Sequence, residues 1–175
     1  DHENYSYGYN NETITSIINN QHDIIFNTSK TFSESINLLK KLNLTNMPFS
    51  TENGALLYFP KNRFKKIKNS SDYGKYWKIR IAKLSSKNWY QFLLKKQKKF
   101  KLLIAQDLPS KILKKYTNLD NTSKMLNREA SQIILWEDSL VNLKKFKNEL
   151  KSEKQGVLIQ AVSYTHLRAH ETRSD

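Results

Sequence analysis

Residues 24–31 read Ile24-Ile25-Phe26-Asn27-Thr28-Ser29-Lys30-Thr31, a short apolar run that ends in hydroxyl and basic side chains. The run predicts a buried strand over Ile24 to Phe26. The apolar spacing that follows predicts a helix with one apolar face, formed by Phe32, Ile36, Leu39 and Leu42. Thr31 and Glu34 have the spacing of a capping box. The hydroxyl groups are therefore expected between the carboxyl end of a strand and the amino terminus of a helix.

The position between the end of the strand and the start of the helix favours the binding of an anion. Ligands of open α/β sheets bind in the crevice at the carboxyl ends of the strands, and unpaired N–H groups at a helix amino terminus attract negative charge. The hydroxyls and the lysine of residues 28–30 therefore indicate a phosphate site. The alternative is structural, because Ser and Thr at this place are also ordinary helix caps.

The rest of the chain predicts two kinds of architecture. Over residues 1–76, the pattern predicts a helix from Glu12 to Asn20, with Ile14, Ile17 and Ile18 inward, and a strand from Leu56 to Phe59. Helices and strands thus alternate along this part of the chain, which predicts a parallel α/β sheet. From Trp77 onward the pattern predicts an α+β unit. Its helices are expected near 87–98, 110–116, 122–130 and 139–151, and its strands near 100–104, 133–136 and 157–159.

Two further motifs precede predicted strands. Glu52-Asn53-Gly54-Ala55 stands before the strand at Leu56, and Arg128-Glu129-Ala130-Ser131 stands before the strand that contains Trp136. Taken alone, Asn53-Gly54 is a turn signal. Together with Thr28-Ser29-Lys30-Thr31, and in this order, the motifs resemble those of the mannosyl-3-phosphoglycerate phosphatases, which are phosphohydrolases of the haloacid dehalogenase superfamily. The resemblance extends from residue 1 to about residue 160.

The resemblance implies a fold and a reaction. The fold is α/β, with a fragment of a Rossmann-like haloacid dehalogenase core over 1–76 and an inserted α+β cap domain over 77–160. The reaction is hydrolysis of a sugar phosphoglycerate through an aspartyl-phosphate, with Mg²⁺ neutralising the developing charge. The family's Asp-x-Asp-Gly-Thr motif would end just upstream of Asp1, and its metal motif would follow Gln160. We therefore expect no catalytic or metal-binding residue in this chain, and no activity from the chain alone.

The resemblance also implies roles for individual residues. Thr28 would hydrogen-bond the transferring phosphate with Ser29 assisting, and Lys30 would meet the phosphate or carboxylate of the substrate. The residues Glu52, Asn53 and Gly54 would border the sugar. Arg128 would pair with the glycerate carboxylate, and Glu129 and Ser131 would hold Arg128 or bind sugar hydroxyls.

Structural alternatives stay open for each of these residues. Lys30 is then an exposed lysine, the Glu52 segment a tight turn, and Arg128 part of an exposed ion pair on a helix. We expect Trp136 in the core of the cap rather than against a sugar. Gln132-Ile133 stands where Glu-Pro is common in the family, which leaves the sugar substrate open.

The last fifteen residues, 161–175, lack helix or strand periodicity. They resemble the translated adaptor or vector sequence found at the ends of unrelated chains, so we set them aside as a non-native, disordered tail. His166 and His170 have the spacing of a metal-binding pair on a helix. Without a third ligand or an apolar stripe, the spacing does not predict a metal site.

The chain of 175 residues carries a formal net charge of +14. The basic segment 95–101 follows aromatic residues, as in proteins that bind single-stranded nucleic acid. Because lysines mark the polar side of most predicted helices, we favour solvated surface and a small sugar phosphate as the partner. No apolar run is long enough to span a membrane. The absence of Cys fits a reducing compartment, and we expect a cytoplasmic protein of undetermined oligomeric state.

Overall fold

The computed structural model describes residues 10–20, 22, 24–117 and 122–152. The chain divides into two compact units, residues 1–83 and 84–175. The predicted boundary at residues 76 and 77 falls inside a strand of the first unit, because Tyr76–Arg80 pairs along its whole length with Leu56–Pro60. The predicted strand at 157–159 and the tail at 161–175 lie outside the described residues.

The first unit combines helices with a five-stranded sheet. Its described elements are α1 Asn10–Asn19, β1 Phe26–Asn27, α2 Phe32–Lys41, β2 Phe49–Thr51, β3 Leu56–Pro60, β4 Ser71–Tyr73 and β5 Tyr76–Arg80. The strand order is β1-β2-β3-β5-β4. This confirms the predicted α/β class.

The prediction of a parallel sheet was wrong for most of its strand pairs. Among the described strand pairs of this sheet, β1–β2 alone is parallel, with Phe26 opposite Phe49, whereas β2–β3, β3–β5 and β4–β5 are antiparallel. For the pairs β2–β3 and β4–β5, the reason is the length of the connections. A parallel pair needs a crossover of a dozen residues or more, and the turns at Glu52–Ala55 and Gly74–Lys75 are far too short.

The predicted buried strand at Ile24 to Phe26 was also wrong. The strand is Phe26–Asn27, it comes first in the order of the described strands of the sheet, and the side chain of Ile25 is 68% exposed. The neighbouring strand β2 is buried at all three positions. In α1, Ile14 and Ile18 are half-buried, but Ile17 is 36% exposed and does not point inward as predicted.

Helix α2 forms as its sequence predicts. Thr31 is the N-cap of a capping box with Glu34, and Leu39 is buried at the middle of the apolar face. Phe32, at the start of the helix, packs against aromatic side chains of the sheet. Its ring centroid lies 4.8 Å from that of Tyr58, which in turn stacks on Phe49 at 4.9 Å. These contacts fix the amino terminus of α2 over the sheet.

The second unit is an α+β unit, as predicted. Its described elements are α3 Ser86–Lys96, β6 Leu102–Ile104, a 3₁₀ turn Ala105–Asp107, α4 Ser110–Thr117, α5 Thr122–Leu126, β7 Ile134–Trp136 and α6 Leu140–Ser152. Strands β6 and β7 pair antiparallel, and the core includes Phe100, Trp136 and Phe146. Trp136 is therefore a core residue, as predicted. Helix α5 ends at Leu126 instead of Ala130, so residues 127–131 are a loop.

Candidate functional site

The segment Thr28–Lys30 directly follows the carboxyl end of β1. The N–H of Thr28 donates to the carbonyl of Ser50 at 3.3 Å, which continues the pairing with β2 for one more residue. The side-chain Oγ1 of Thr28 accepts a hydrogen bond from the N–H of Lys30 at 3.2 Å. Thr28 and Lys30 are half-buried and Ser29 is exposed. The tip of β1 therefore carries a hydroxyl whose position is fixed by its own loop.

The structure brings the Glu52-Asn53-Gly54 motif next to this loop. The N–H of Glu52 donates to the carbonyl of Lys30 at 3.0 Å, and the N–H of Asn53 donates to the carbonyl of Thr28 at 2.9 Å. The three turn residues have φ values of 51°, 60° and 84°, all in the left-handed region. Glu52 is buried, with 4% of its surface exposed, whereas the side chain of Asn53 is exposed.

Polar residues that the sequence analysis did not single out lie at the same end of the sheet. Ser50 is buried and its Oγ donates to Oδ1 of Asn27 at 2.6 Å. Thr51 is fully buried, and its Oγ1 has no hydrogen-bond partner in the described part of the chain. The sequence contains a hint of these residues, since Ser50 and Thr51 immediately precede Glu52. Because no strand was predicted at β2, the sequence did not place Ser50 and Thr51 at the end of the sheet.

The amino terminus of α2 is already occupied by a carboxylate. Oε2 of Glu34 accepts from both the N–H and the Oγ1–H of Thr31, each at 2.9 Å. This confirms the capping box, and it also places a negative charge where a phosphate would meet the helix dipole. The helix terminus therefore does not by itself make an anion site, and the hydroxyl of Thr28 is the stronger phosphate candidate.

The third motif forms a separate polar cluster in the loop between α5 and β7 of the second unit. Nη1 of Arg128 donates to Oγ of Ser131 at 2.8 Å, so these two predicted residues lie together. The carbonyl of Glu129 accepts from the N–H of Ser86 at 2.8 Å. Because α5 ends at Leu126, the alternative of an exposed ion pair on a helix does not apply to Arg128.

Glutamine side chains that the sequence analysis did not assign to the site extend this cluster. Nε2 of Gln132 donates to Oγ of Ser86 at 2.8 Å and to Oε1 of Gln106 at 2.7 Å. Gln106 comes from the 3₁₀ turn after β6. No pattern local to one segment predicts this cluster, because Ser86, Gln106 and Gln132 are separated by 20 residues or more in the chain. The pairing of β6 with β7 brings the segments that contain Gln106 and Gln132 together.

The described residues do not by themselves fit a magnesium site. Within residues 10–20, 22, 24–117 and 122–152, no three side chains of His, Cys, Asp or Glu come together in a way that could hold a metal ion. The pair His166 and His170 lies outside the described residues. Among the helices of the described ranges, none combines the length and apolar character that a membrane crossing requires.

Comparison with known proteins identifies the family. No curated protein matches the chain. The sequence model of a family described as haloacid dehalogenase-like hydrolase matches residues 1–169. The matched range extends into the tail that we predicted to be foreign, and the foreign origin of that tail stays a prediction. Because the match covers nearly the whole chain, this protein belongs to the haloacid dehalogenase-like hydrolases.

Proposed function

We propose that the protein is a phosphatase that hydrolyses a sugar phosphate. The substrate that we favour is mannosyl-3-phosphoglycerate, with mannosylglycerate and phosphate as the products. Membership of the haloacid dehalogenase-like hydrolases supports hydrolysis. The order of the three motifs at residues 28–31, 52–55 and 128–131 supports the narrower substrate class.

The hydroxyl of Thr28 is the observation that carries the proposal. Its oxygen accepts from the N–H of Lys30, and its hydrogen donates to no acceptor in the described part of the chain. The hydroxyl can therefore donate to a phosphate oxygen without breaking an existing bond. A hydrogen bond to a charged group contributes about 1.5–3 kcal/mol, far less than the 8 kcal/mol or more by which enzymes lower barriers. Thr28 binds the phosphoryl group in this proposal and does not attack it.

In this proposal, neither the nucleophile nor the metal site is assigned to the residues that the structure describes. An aspartate would attack phosphorus, and a bound Mg²⁺ would supply positive charge that offsets the charge of the phosphoryl group; we assign none of the described residues to either role. In the second unit, the guanidinium of Arg128 donates to Oγ of Ser131, and the planar shape of a guanidinium suits a carboxylate. We assign the glycerate carboxylate to Arg128, with Glu129 close to it in the loop. Lys30, Glu52 and Asn53 are the candidates for contact with the rest of the substrate.

The test is phosphate release by the product of the complete reading frame. We expect hydrolysis of mannosyl-3-phosphoglycerate to exceed that of 3-phosphoglycerate and of mannose phosphates. Thr28→Val removes the hydroxyl at nearly constant volume and is expected to lower kcat/KM about tenfold to a hundredfold. Thr28→Ser keeps the hydroxyl and serves as the matched control. Equal activity of Thr28→Val and wild type would contradict the assignment, and an absence of phosphate release from every phosphate ester would contradict the function.

A further inference from the structure

The hydrogen bonds between β2 and the Thr28 loop depart from a regular parallel ladder. The register pairs Asn27 with Ser50, and the N–H of Thr28 donates to the carbonyl of Ser50. A regular continuation would place the N–H of Glu52 on the carbonyl of Thr28. The structure instead places the N–H of Asn53 there, and the N–H of Glu52 moves two residues along, to the carbonyl of Lys30.

The left-handed backbone of the turn causes this shift. Glu52 has a φ of 51° and Asn53 a φ of 60°, so both adopt a conformation that L-residues other than Asn and Asp rarely adopt. Gly54 follows with a φ of 84°, and its N–H closes the turn on the carbonyl of Thr51 at 3.1 Å. Two consecutive N–H groups, those of Glu52 and Asn53, consequently face the Thr28 loop. We call these two groups the amide clamp.

The amide clamp holds both ends of the three-residue loop. It binds the carbonyls of Thr28 and Lys30, and the N–H of Lys30 in turn binds Oγ1 of Thr28. The backbone of the turn is thus connected to the Thr28 hydroxyl through two hydrogen bonds, which the backbone of Lys30 joins.

We propose that Asn53 and Gly54 are positioning residues, whose left-handed backbone maintains the amide clamp and so places the Thr28 hydroxyl against the phosphate. This inference rests on the proposed phosphatase function and adds to it a role for the turn that does not depend on contact with the sugar. A displacement of about 1 Å at a reacting centre can lower a rate about a hundredfold. Loss of the amide clamp is therefore expected to lower kcat.

Gly54 and Gly74 allow a matched comparison of two substitutions. An added Cβ at Gly54 or at Gly74 meets no atom within 4 Å, and both residues have positive φ, so Gly54→Ala and Gly74→Ala act through the backbone alone. Gly74 lies in the turn between β4 and β5. In the complete gene product, we expect Gly54→Ala to lower kcat for mannosyl-3-phosphoglycerate about tenfold to a hundredfold, with a smaller change in KM. Gly74→Ala is expected to keep the wild-type kcat.

Asparagine variants separate the backbone role from a side-chain contact. Asn69 has a φ of 63°, close to that of Asn53, so Asn69→Ala is the control for Asn53→Ala. We expect Asn53→Ala to lower kcat and Asn69→Ala to keep it. Asn53→Gly permits the left-handed conformation and is expected to have a several-fold higher kcat than Asn53→Ala. If the side chain of Asn53 also contacts the sugar, that loss raises KM equally in both Asn53 variants.

Amide hydrogen exchange tests the clamp independently of activity. Gly54→Ala should speed exchange at the amides of Lys30, Glu52 and Asn53, and Gly74→Ala should not. Unchanged exchange at these amides, or a wild-type kcat in Gly54→Ala, would overturn the positioning role. Equal losses of kcat in Gly54→Ala and Gly74→Ala would also overturn it, since general destabilisation would then explain both. Wild-type protein that releases no phosphate would instead overturn the proposed function, and the positioning role with it.

Discussion

Two threonines at the tips of neighbouring strands differ in how their hydroxyl groups are satisfied. Thr28 follows β1, is half-buried, and accepts a hydrogen bond from Lys30. Thr51 ends β2, is fully buried, and its hydroxyl has no partner in the described ranges. A buried polar group without a partner costs about 1–3 kcal/mol. We therefore expect the hydroxyl of Thr51 to reduce the stability of the first unit.

Replacement of Thr51 by Val tests this cost. Valine has the same branched shape and suits a strand, so Thr51→Val should raise the free energy of unfolding by about 1 kcal/mol. Thr117 is the control, because it is also buried but its Oγ1 donates to the carbonyl of Leu113 at 2.9 Å. Thr117→Val should lower the free energy of unfolding by about 1 kcal/mol. Urea unfolding of each variant measures both changes, and a loss of stability in Thr51→Val would contradict the interpretation.

Elements defined by local sequence could be predicted, and those defined by distant pairing could not. The apolar stripe and the capping box of α2 lie within twelve consecutive residues, and both are confirmed. The strand at Phe26 was placed too early because its apolar residues read as buried, although Ile25 faces solvent. Strands β4 and β5 follow a basic, polar segment, and their pairing becomes visible only in the structure.

The candidate site shows the same division. The sequence placed Thr28 after a strand and Glu52 before one, and the structure brings these segments together through β1 and β2. The left-handed conformation of Glu52 was not predictable, because Glu has no preference for it. The hydrogen bonds that join the turn to residues 28–30 become visible only in the structure. Gln132 and Gln106 meet through the pairing of β7 with β6, which is also invisible to local patterns.

At the level of the element, Glu34 is predicted to stabilise the amino terminus of α2. Its carboxylate accepts both the N–H and the hydroxyl of Thr31. Glu34→Ala removes both bonds and is expected to lower the free energy of unfolding by about 1 kcal/mol. Glu34→Gln retains an amide oxygen as acceptor and should lower it less. Asn37→Ala, at an exposed position of the same helix, should leave stability unchanged or slightly raised. A loss in Asn37→Ala equal to that in Glu34→Ala would contradict the capping role.

On the scale of the whole molecule, positive charge exceeds negative charge in the sequence, with 30 Lys and Arg against 16 Asp and Glu. Individual carboxylates offset this excess locally. In the second unit, Glu149 on α6 pairs with Lys96 at 2.9 Å and also with Lys99, and thereby connects α6 to α3 and the segment that follows it. In the first unit, Asp72 of β4 pairs with Lys61. Protonation of these carboxyl groups removes the pairs and increases the mutual repulsion of the lysines.

Two carboxyl groups of the second unit have lowered pKa values for different reasons. The backbone N–H of Lys101 is the largest cause of the lowered pKa of Asp138, with Asn142 and the N–H of Ser139 adding to it. Hydrogen bonds from Lys99 and then Lys96 lower the pKa of Glu149. Backbone hydrogen bonds do not depend on mobile ions, whereas the pair of Glu149 with Lys99, whose side chain is 60% exposed, is screened by salt. The two groups should therefore respond differently to ionic strength.

The sign of the pH dependence follows from these shifts. A group whose pKa is lower in the folded state stabilises the fold above its unfolded pKa, about 4, and this contribution is lost as the pH falls through the folded pKa. Stability should thus decline below about pH 4, where the net positive charge also increases.

In about 1 M salt the pKa of Glu149 should rise toward its ordinary value, while that of Asp138 stays low. Carboxyl ¹³C chemical shifts recorded during pH titrations at low and high salt measure the pKa values of Glu149 and Asp138. A pKa of Asp138 that rises with salt as much as that of Glu149 would show that charge, and not the backbone N–H of Lys101, holds Asp138 ionised.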